Sequence, residues 1–202
     1  MSRLLPHLLL GLLLVAGGCR TSPAPAGSPA PATRPARRPA HWAQPLTLPG
    51  LPNLHRVSQD VYRSAQPTAE GYAAAARHGI KAVLCLRTGD METEAITGAG
   101  LTLHRVPFPA WEIRDDDVIQ AMRILRQASC DGPVLVHCLH GADRTGLVSA
   151  AYRILFEGWT KDDAIAELTQ GGFGFHPLFA NIPHYLRSME PEKIRAAVQA
   201  GP

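Results

Sequence analysis

Apolar residues recur every three to four positions through V-I-Q-A-M-R-I-L-R-Q-A after Asp117 and T-G-L-V-S-A-A-Y-R-I-L-F from Thr145, whereas the run at 134–136 is continuously β-branched or leucine. The first pattern predicts helices and the second a short buried strand. Strands are expected near Val61 and at 82–86, 103–106 and 134–137. Helices alternate with them, at 68–78 closed by Gly79, 116–128, 145–156 closed by Gly158, and 161–169 behind a Thr160 cap. A last helix near 182–188 is expected to pack beside the one from Thr145. This alternation predicts an α/β fold with a central, mostly parallel sheet flanked by helices in a single domain.

The ends of the chain follow different rules. Residues 1–18 read M-S-R-L-L-P-H-L-L-L-G-L-L-L-V-A-G-G, one arginine followed by a leucine-rich core and small residues before Cys19. The apolar run falls short of the roughly 20 residues a spanning helix needs, so an export signal is expected. A-G-G-C resembles a lipobox, with Ala16 where leucine is common, which implies lipidation of Cys19 and a membrane anchor facing the periplasm or cell exterior. Residues 19–45 are rich in Pro and Ala and read as an extended tether, leaving 46–202 as the folded domain. Five of the 20 basic residues and none of the 17 acidic ones lie in positions 1–40, so the remainder carries 15 basic against 17 acidic, a net −2. The folded part has neither a Lys/Arg cluster nor an aromatic stacking motif, which argues against a nucleic-acid partner.

Candidate chemistry concentrates between Val134 and Gly146, V-L-V-H-C-L-H-G-A-D-R-T-G. A loop between a strand end and a helix start converges backbone N–H groups on one point, where the helix dipole adds positive charge. The backbone of Leu139, His140, Gly141, Ala142, Asp143 and Arg144 is therefore an expected phosphate cradle, with Cys138 at its base. A helix N-terminus and a nearby cation favour the thiolate, which makes Cys138 a nucleophile. The planar fork of Arg144 suits two phosphoryl oxygens at once. Thr145 is placed to donate its hydroxyl to the departing sulfur, and His137 to orient the loop from behind.

H-C-L-H-G-A-D-R-T-G resembles the C-x5-R-[ST] signature of the cysteine-dependent protein tyrosine phosphatase superfamily. V-Y-R-S-A-Q-P (from Val61), A-V-L-C-L-R and G-G-F-G-F-H-P are similar to segments of compact bacterial dual-specificity phosphatases. The resemblance implies a protein-tyrosine-phosphatase-like fold, a phosphocysteine intermediate, no cofactor, and a general acid on a loop upstream of the cysteine. Asp115, read as the last residue of an irregular stretch, is the expected acid and Glu112 the second choice, while Asp116 and Asp117 are read as helix caps. Asp143 puts a carboxylate in the loop that should repel a polyanion, so phosphotyrosine or another phosphorylated protein side chain is the expected substrate. The alternative is an inositol phosphate or phosphoinositide, with His140, Arg87 or Arg105 supplying counter-charge. A non-catalytic phosphate-binding lipoprotein is the reading from another class.

Three further residues carry two readings each. Cys85 is a buried core cysteine or, by the resemblance, a redox partner that traps Cys138 as a disulfide. His176 caps a turn while Phe173 and Phe175 pack against the helix from Thr145, or it reaches the pocket. No His/Cys/Asp set shows ligand spacing, so no metal is expected.

Overall fold

The computed structural model describes residues 38–89 and 93–201, so the segment read as an export signal, Cys19 and most of the segment read as a tether lie outside the described residues. Its strands are β1 (Gln44–Pro45), β2 (His55–Arg56), β3 (Val61–Ser64), β4 (Ala82–Cys85), β5 (Thr102–Arg105) and β6 (Val134–His137). The helices are α1 (Ala69–Arg77), α2 (Thr93–Gly98), α3 (Asp115–Ala128), α4 (Asp143–Phe156), α5 (Lys161–Gln170), α6 (Asn181–Ser188) and α7 (Pro191–Ala200), with a 3-10 turn at Pro177–Phe179.

One sheet runs β1-β2-β3-β6-β4-β5. Pairings β3–β6, β6–β4 and β4–β5 are parallel, as the alternation predicts. The sheet is nevertheless mixed, because β1 and β2 add antiparallel pairings at one edge. Two-residue strands carry too little periodicity to be read from sequence. Strand side chains alternate between faces: Val134, Val136, Ala82 and Leu84 join the core beneath α3 to α7, while Leu135 and Val83 join Tyr72 and Ile96 under α1 and α2.

Local chemistry sets the helix ends. The Thr68 side chain accepts from the Gly71 N–H and Gly79 follows α1 at φ +99°, a conformation that favours glycine. Thr160 accepts from the Asp163 N–H at the start of α5. The fold departs from the sequence reading in several places, among them the unread helix α2 and the start of α4 at Asp143 rather than 145. The expected strand at 103–106 begins one residue earlier, α7 follows the helix read as the last, and α3 starts at Asp115 rather than 116.

The domain also begins before position 46, inside the segment read as tether. Ala43 is buried and its N–H donates to Oε1 of buried Glu167 on α5. Arg153 on α4 meets that carboxylate twice, at 3.1 Å through Nε and 3.1 Å through Nη2, and its guanidinium lies 4.3 Å from the centroid of Trp159. A buried cation paired this closely is tolerated because its lost hydration is replaced by hydrogen bonds. The pair ties the first described residues to the helical face.

Candidate active site

Strand β6 ends at His137 and α4 starts at Asp143, so 138–142 must turn within five residues. Gly141 makes the turn possible, with φ +68° and a backbone so close to β3 that an added Cβ would sit 2.4 Å from the Ala65 nitrogen. Four consecutive carbonyls of the loop are bonded outward. Leu139 O accepts from the Gln66 N–H at 3.1 Å, His140 O from Asn53 Nδ2 at 3.0 Å, Gly141 O from Arg63 Nη2 at 2.7 Å, and Ala142 O from the Gly146 N–H at 2.9 Å. Each trans peptide holds its N–H opposite its C=O. Tying these carbonyls outward therefore turns the N–H groups of 140–143 to the concave side, where an anion can take them.

The support beneath the loop is a stack. Arg63 is fully buried, and its guanidinium lies 3.7 Å from the centroid of the Phe173 ring, which meets His55 edge-on at 4.7 Å. Burial lowers the Arg63 pKa from its ordinary value to about 10, leaving it a cation at neutral pH. Asn53, which sits at φ +55°, also donates to Phe173 O at 2.9 Å. Sequence reasoning noted V-Y-R-S-A-Q-P only as resemblance and read the phenylalanines of G-G-F-G-F-H-P as packing against the helix from Thr145. The signal for Arg63 was a lone arginine within an otherwise buried strand.

The predicted residues come together around a cavity of about 400 Å³ whose polar lining includes Cys138, His140, Asp143, Arg144 and His176. Arg144 is half-buried and held by donation from Nη1 to Leu86 O at 2.9 Å and Phe108 O at 3.2 Å. Buried His137 lies with Nδ1 3.2 Å from Cys138 O and Nε2 3.3 Å from the Tyr72 hydroxyl, behind the loop as expected. Thr145 Oγ1 is buried with no hydrogen-bond partner among the described residues. Trp111 and Leu178, both largely exposed, form an apolar rim.

The acid assignment does not fit this arrangement. Asp115 is the first residue of α3, not part of a loop, and its Oδ1 accepts from the Tyr185 hydroxyl at 2.9 Å while Lys193 lies 3.8 Å from Oδ2. Burial and this donation hold the Tyr185 phenol above its ordinary range. Asp116 faces a different groove, beside Arg123 and Ala197. Asp117 accepts from the Arg114 N–H, the capping role expected of it. Glu112 is exposed and paired with Arg114, directly after Ala110 and Trp111 of the cavity wall.

Other expectations change as well. Asp143 is buried, and its carboxylate accepts from the His176 N–H at 3.0 Å and lies 2.8 Å from His176 Nδ1, so it does not stand free to repel an anion. His176 thus reaches the pocket. Phe173 packs on Arg63 rather than serving only as core beside α4. One donor atom each from His140, Asp143 and His176 lies within 4.8 Å of the others, a grouping that sequence spacing did not reveal. Cys85 pairs in register with His137, and the strand period places it with Val83, whereas Leu84, Leu86 and Cys138 belong to the opposite core. That favours the buried-core reading of Cys85. Neither Arg87 nor Arg105 lines the cavity.

A family model for a polymorphic toxin system DSP-PTPase phosphatase matches residues 57–158, about half of the chain. Dual specificity protein phosphatase TpbA of Pseudomonas aeruginosa (strain UCBPP-PA14) is 35% identical over 199 residues, covering 98% of this chain and 85% of that protein. The chain belongs to the dual-specificity protein phosphatase family. The crystal structure of a P. aeruginosa TpbA variant in complex with pTyr matches this phosphatase with a TM-score of 0.72 and 35% identity, covering 81% of this chain and 99% of that one. The catalytic core of the PP-IP phosphatase SIW14 from S. cerevisiae shares the fold, with a TM-score of 0.66 at 21% identity over 76% of this chain and 95% of that one.

The stack beneath the phosphatase loop generates two expectations. Burial lowers the His55 pKa from 6.5 to about 4, so the fold favours the neutral ring. Its contribution to stability is complete above about pH 6.5 and lost as pH falls through about 4. Thermal melts across that window should show a smaller acid loss for His55→Phe than for the wild type; parallel curves would assign the acid sensitivity elsewhere. Arg63→Met keeps much of the volume but removes the donor to Gly141 O, and kcat/KM on an aryl phosphate should fall by roughly 10- to 100-fold. A folded variant with wild-type turnover would show that the loop holds its shape without the guanidinium.

Proposed function

We propose that this protein hydrolyses phosphotyrosine, or another phosphorylated side chain of a protein, by nucleophilic attack of Cys138. The observation that carries this reading is the loop with its carbonyls tied outward above a buried cysteine and beside a pinned arginine. The Cys138 thiolate forms an S–P bond as the P–O bond to the leaving group breaks. Arg144 and the N–H groups of 140–143 hold the equatorial oxygens while charge moves among them. Water then attacks phosphorus and gives a proton to the carboxylate that had protonated the leaving group, the S–P bond breaks to return the Cys138 thiolate, and phosphate leaves. The Thr145 hydroxyl, without a hydrogen-bond partner among the described residues, is available to the departing sulfur, and His137 keeps the loop oriented through the Cys138 carbonyl.

Glu112 takes the role of acid in this proposal and donates its proton to the leaving oxygen when the segment carrying Trp111 moves inward. Its neighbours already form the cavity wall, whereas Asp115 is turned toward α6 and α7. The apolar rim of Trp111 and Leu178 suits an aromatic leaving group, and the pTyr complex of a TpbA variant supports the same class. An inositol phosphate is the second reading, favoured by the pairing of Asp143 with His176, which engages both carboxylate oxygens and so leaves neither facing the substrate unpartnered. We further propose export and a lipid anchor at Cys19, supported by the leucine-rich leader and the small residues before the cysteine.

Comparing kcat/KM on a phosphotyrosine peptide with that on a soluble inositol polyphosphate should favour the peptide, and Cys138→Ser should abolish turnover of both. A strong preference for the inositol ring overturns the substrate assignment. On substrates with poor leaving groups, Glu112→Gln should lose about 10²-fold or more and Asp115→Asn only a few-fold; the reverse order would return the acid role to Asp115. Cells fed an alkyne-bearing fatty acid should label the wild-type chain but not Cys19→Ala, and equal labelling would rule out the anchor at Cys19.

A further inference from the structure

His140 and Asp143 lie on the loop and at the start of α4, and His176 stands 33 residues beyond Asp143, yet one donor atom from each falls within 4.8 Å of the other two. The mechanism above uses none of these three side chains. Asp143 is buried and fixed, since its Oδ1 accepts from the His176 N–H at 3.0 Å. Both imidazoles are exposed, with ring centroids 5.3 Å apart. The carboxylate is thus a rigid corner and the two rings are its adjustable partners.

Two imidazoles and a carboxylate form a donor set for zinc rather than for the hard cations magnesium and calcium, which take oxygen ligands. Tetrahedral bonds of about 2.0–2.2 Å set donor atoms about 3.4 Å apart. Separations of up to 4.8 Å close toward that value as the exposed rings rotate, and the hydrogen-bonded pair of His176 Nδ1 and Asp143 Oδ2, now at 2.8 Å, opens to admit the ion. The His140 backbone is meanwhile held through its carbonyl by Asn53, so the cradle keeps its shape.

We propose that His140, Asp143 and His176 bind a divalent ion of the zinc class at the mouth of the phosphate cavity, and that the bound ion inhibits turnover. All three line the cavity that holds Cys138 and Arg144. Three protein ligands leave a fourth position open to that cavity, where thiolate sulfur is a favoured zinc ligand. The ion therefore masks the nucleophile and obstructs the cradle. Only this consequence rests on the phosphatase reading; binding itself does not.

The full chain carrying Cys138→Ser, stripped of metal, should bind one equivalent of zinc in isothermal titration and give no heat with magnesium. On the same background His140→Ala and His176→Ala should each weaken binding by about tenfold or more. Thermal melts confirm that the variants are folded. The absence of zinc binding, or equal affinity in all three proteins, overturns the site. With Cys138 present, zinc should suppress hydrolysis of an aryl phosphate and a chelator restore it. His176→Ala should need about tenfold more zinc for half-inhibition than its parent. Equal sensitivity overturns the inhibitory role. If the metal-free wild type hydrolyses no phosphate ester, the phosphatase reading fails while the titration still judges the site.

Discussion

The arginine at position 63 carries the architecture of the catalytic loop. A guanidinium without access to water is costly unless its hydration is replaced. Here the replacement is the Gly141 carbonyl at 2.7 Å, the Phe173 ring, and the field of the Glu167 carboxylate. The contact works in both directions. It keeps the cation buried, and it fixes the orientation of the central peptide of a loop that has little secondary structure of its own. Gly141 completes the arrangement because any side chain there would collide with the backbone at Ser64 and Ala65.

The sheet delivers these groups to one edge. Strand β6 lies between β3 and β4 with all three parallel. Their C-terminal ends therefore present Cys138, the Ala65–Gln66 turn and Leu86 together. Arg144 uses that edge, since its carbonyl partners follow β4 and β5. Binding at the carboxyl ends of parallel strands is the general arrangement of open α/β sheets. In this chain it also explains why residues separated by nearly sixty positions, Leu86 and Arg144, meet at 2.9 Å.

Much of this was legible because it was local. The Cys138-to-Thr145 spacing, the Thr160 cap, the glycine that closes α1 and the four parallel strands depend on short-range pattern and chemistry. What escaped depends on distant contacts. Asp115 read as a loop residue because nothing nearby in sequence announces Tyr185 or Lys193 as its partners. Asp143 read as a free charge because His176 is brought beside it only by the turn after α5. The two-residue strands β1 and β2 exist through pairing, and Ala43 is ordered by Glu167, so neither carries a local signal.

Arg38, the first described residue, is a reminder that the boundary of a domain can belong to its working parts. Its guanidinium lies 5.1 Å from the same Phe173 ring that carries Arg63, and its Nη1 donates to the Ala43 carbonyl. The entering chain is therefore clamped onto the underside of the catalytic support. A shortened protein begun at the apparent edge of the folded region, near Leu46, would lose Arg38, the Ala43 bond and strand β1 together.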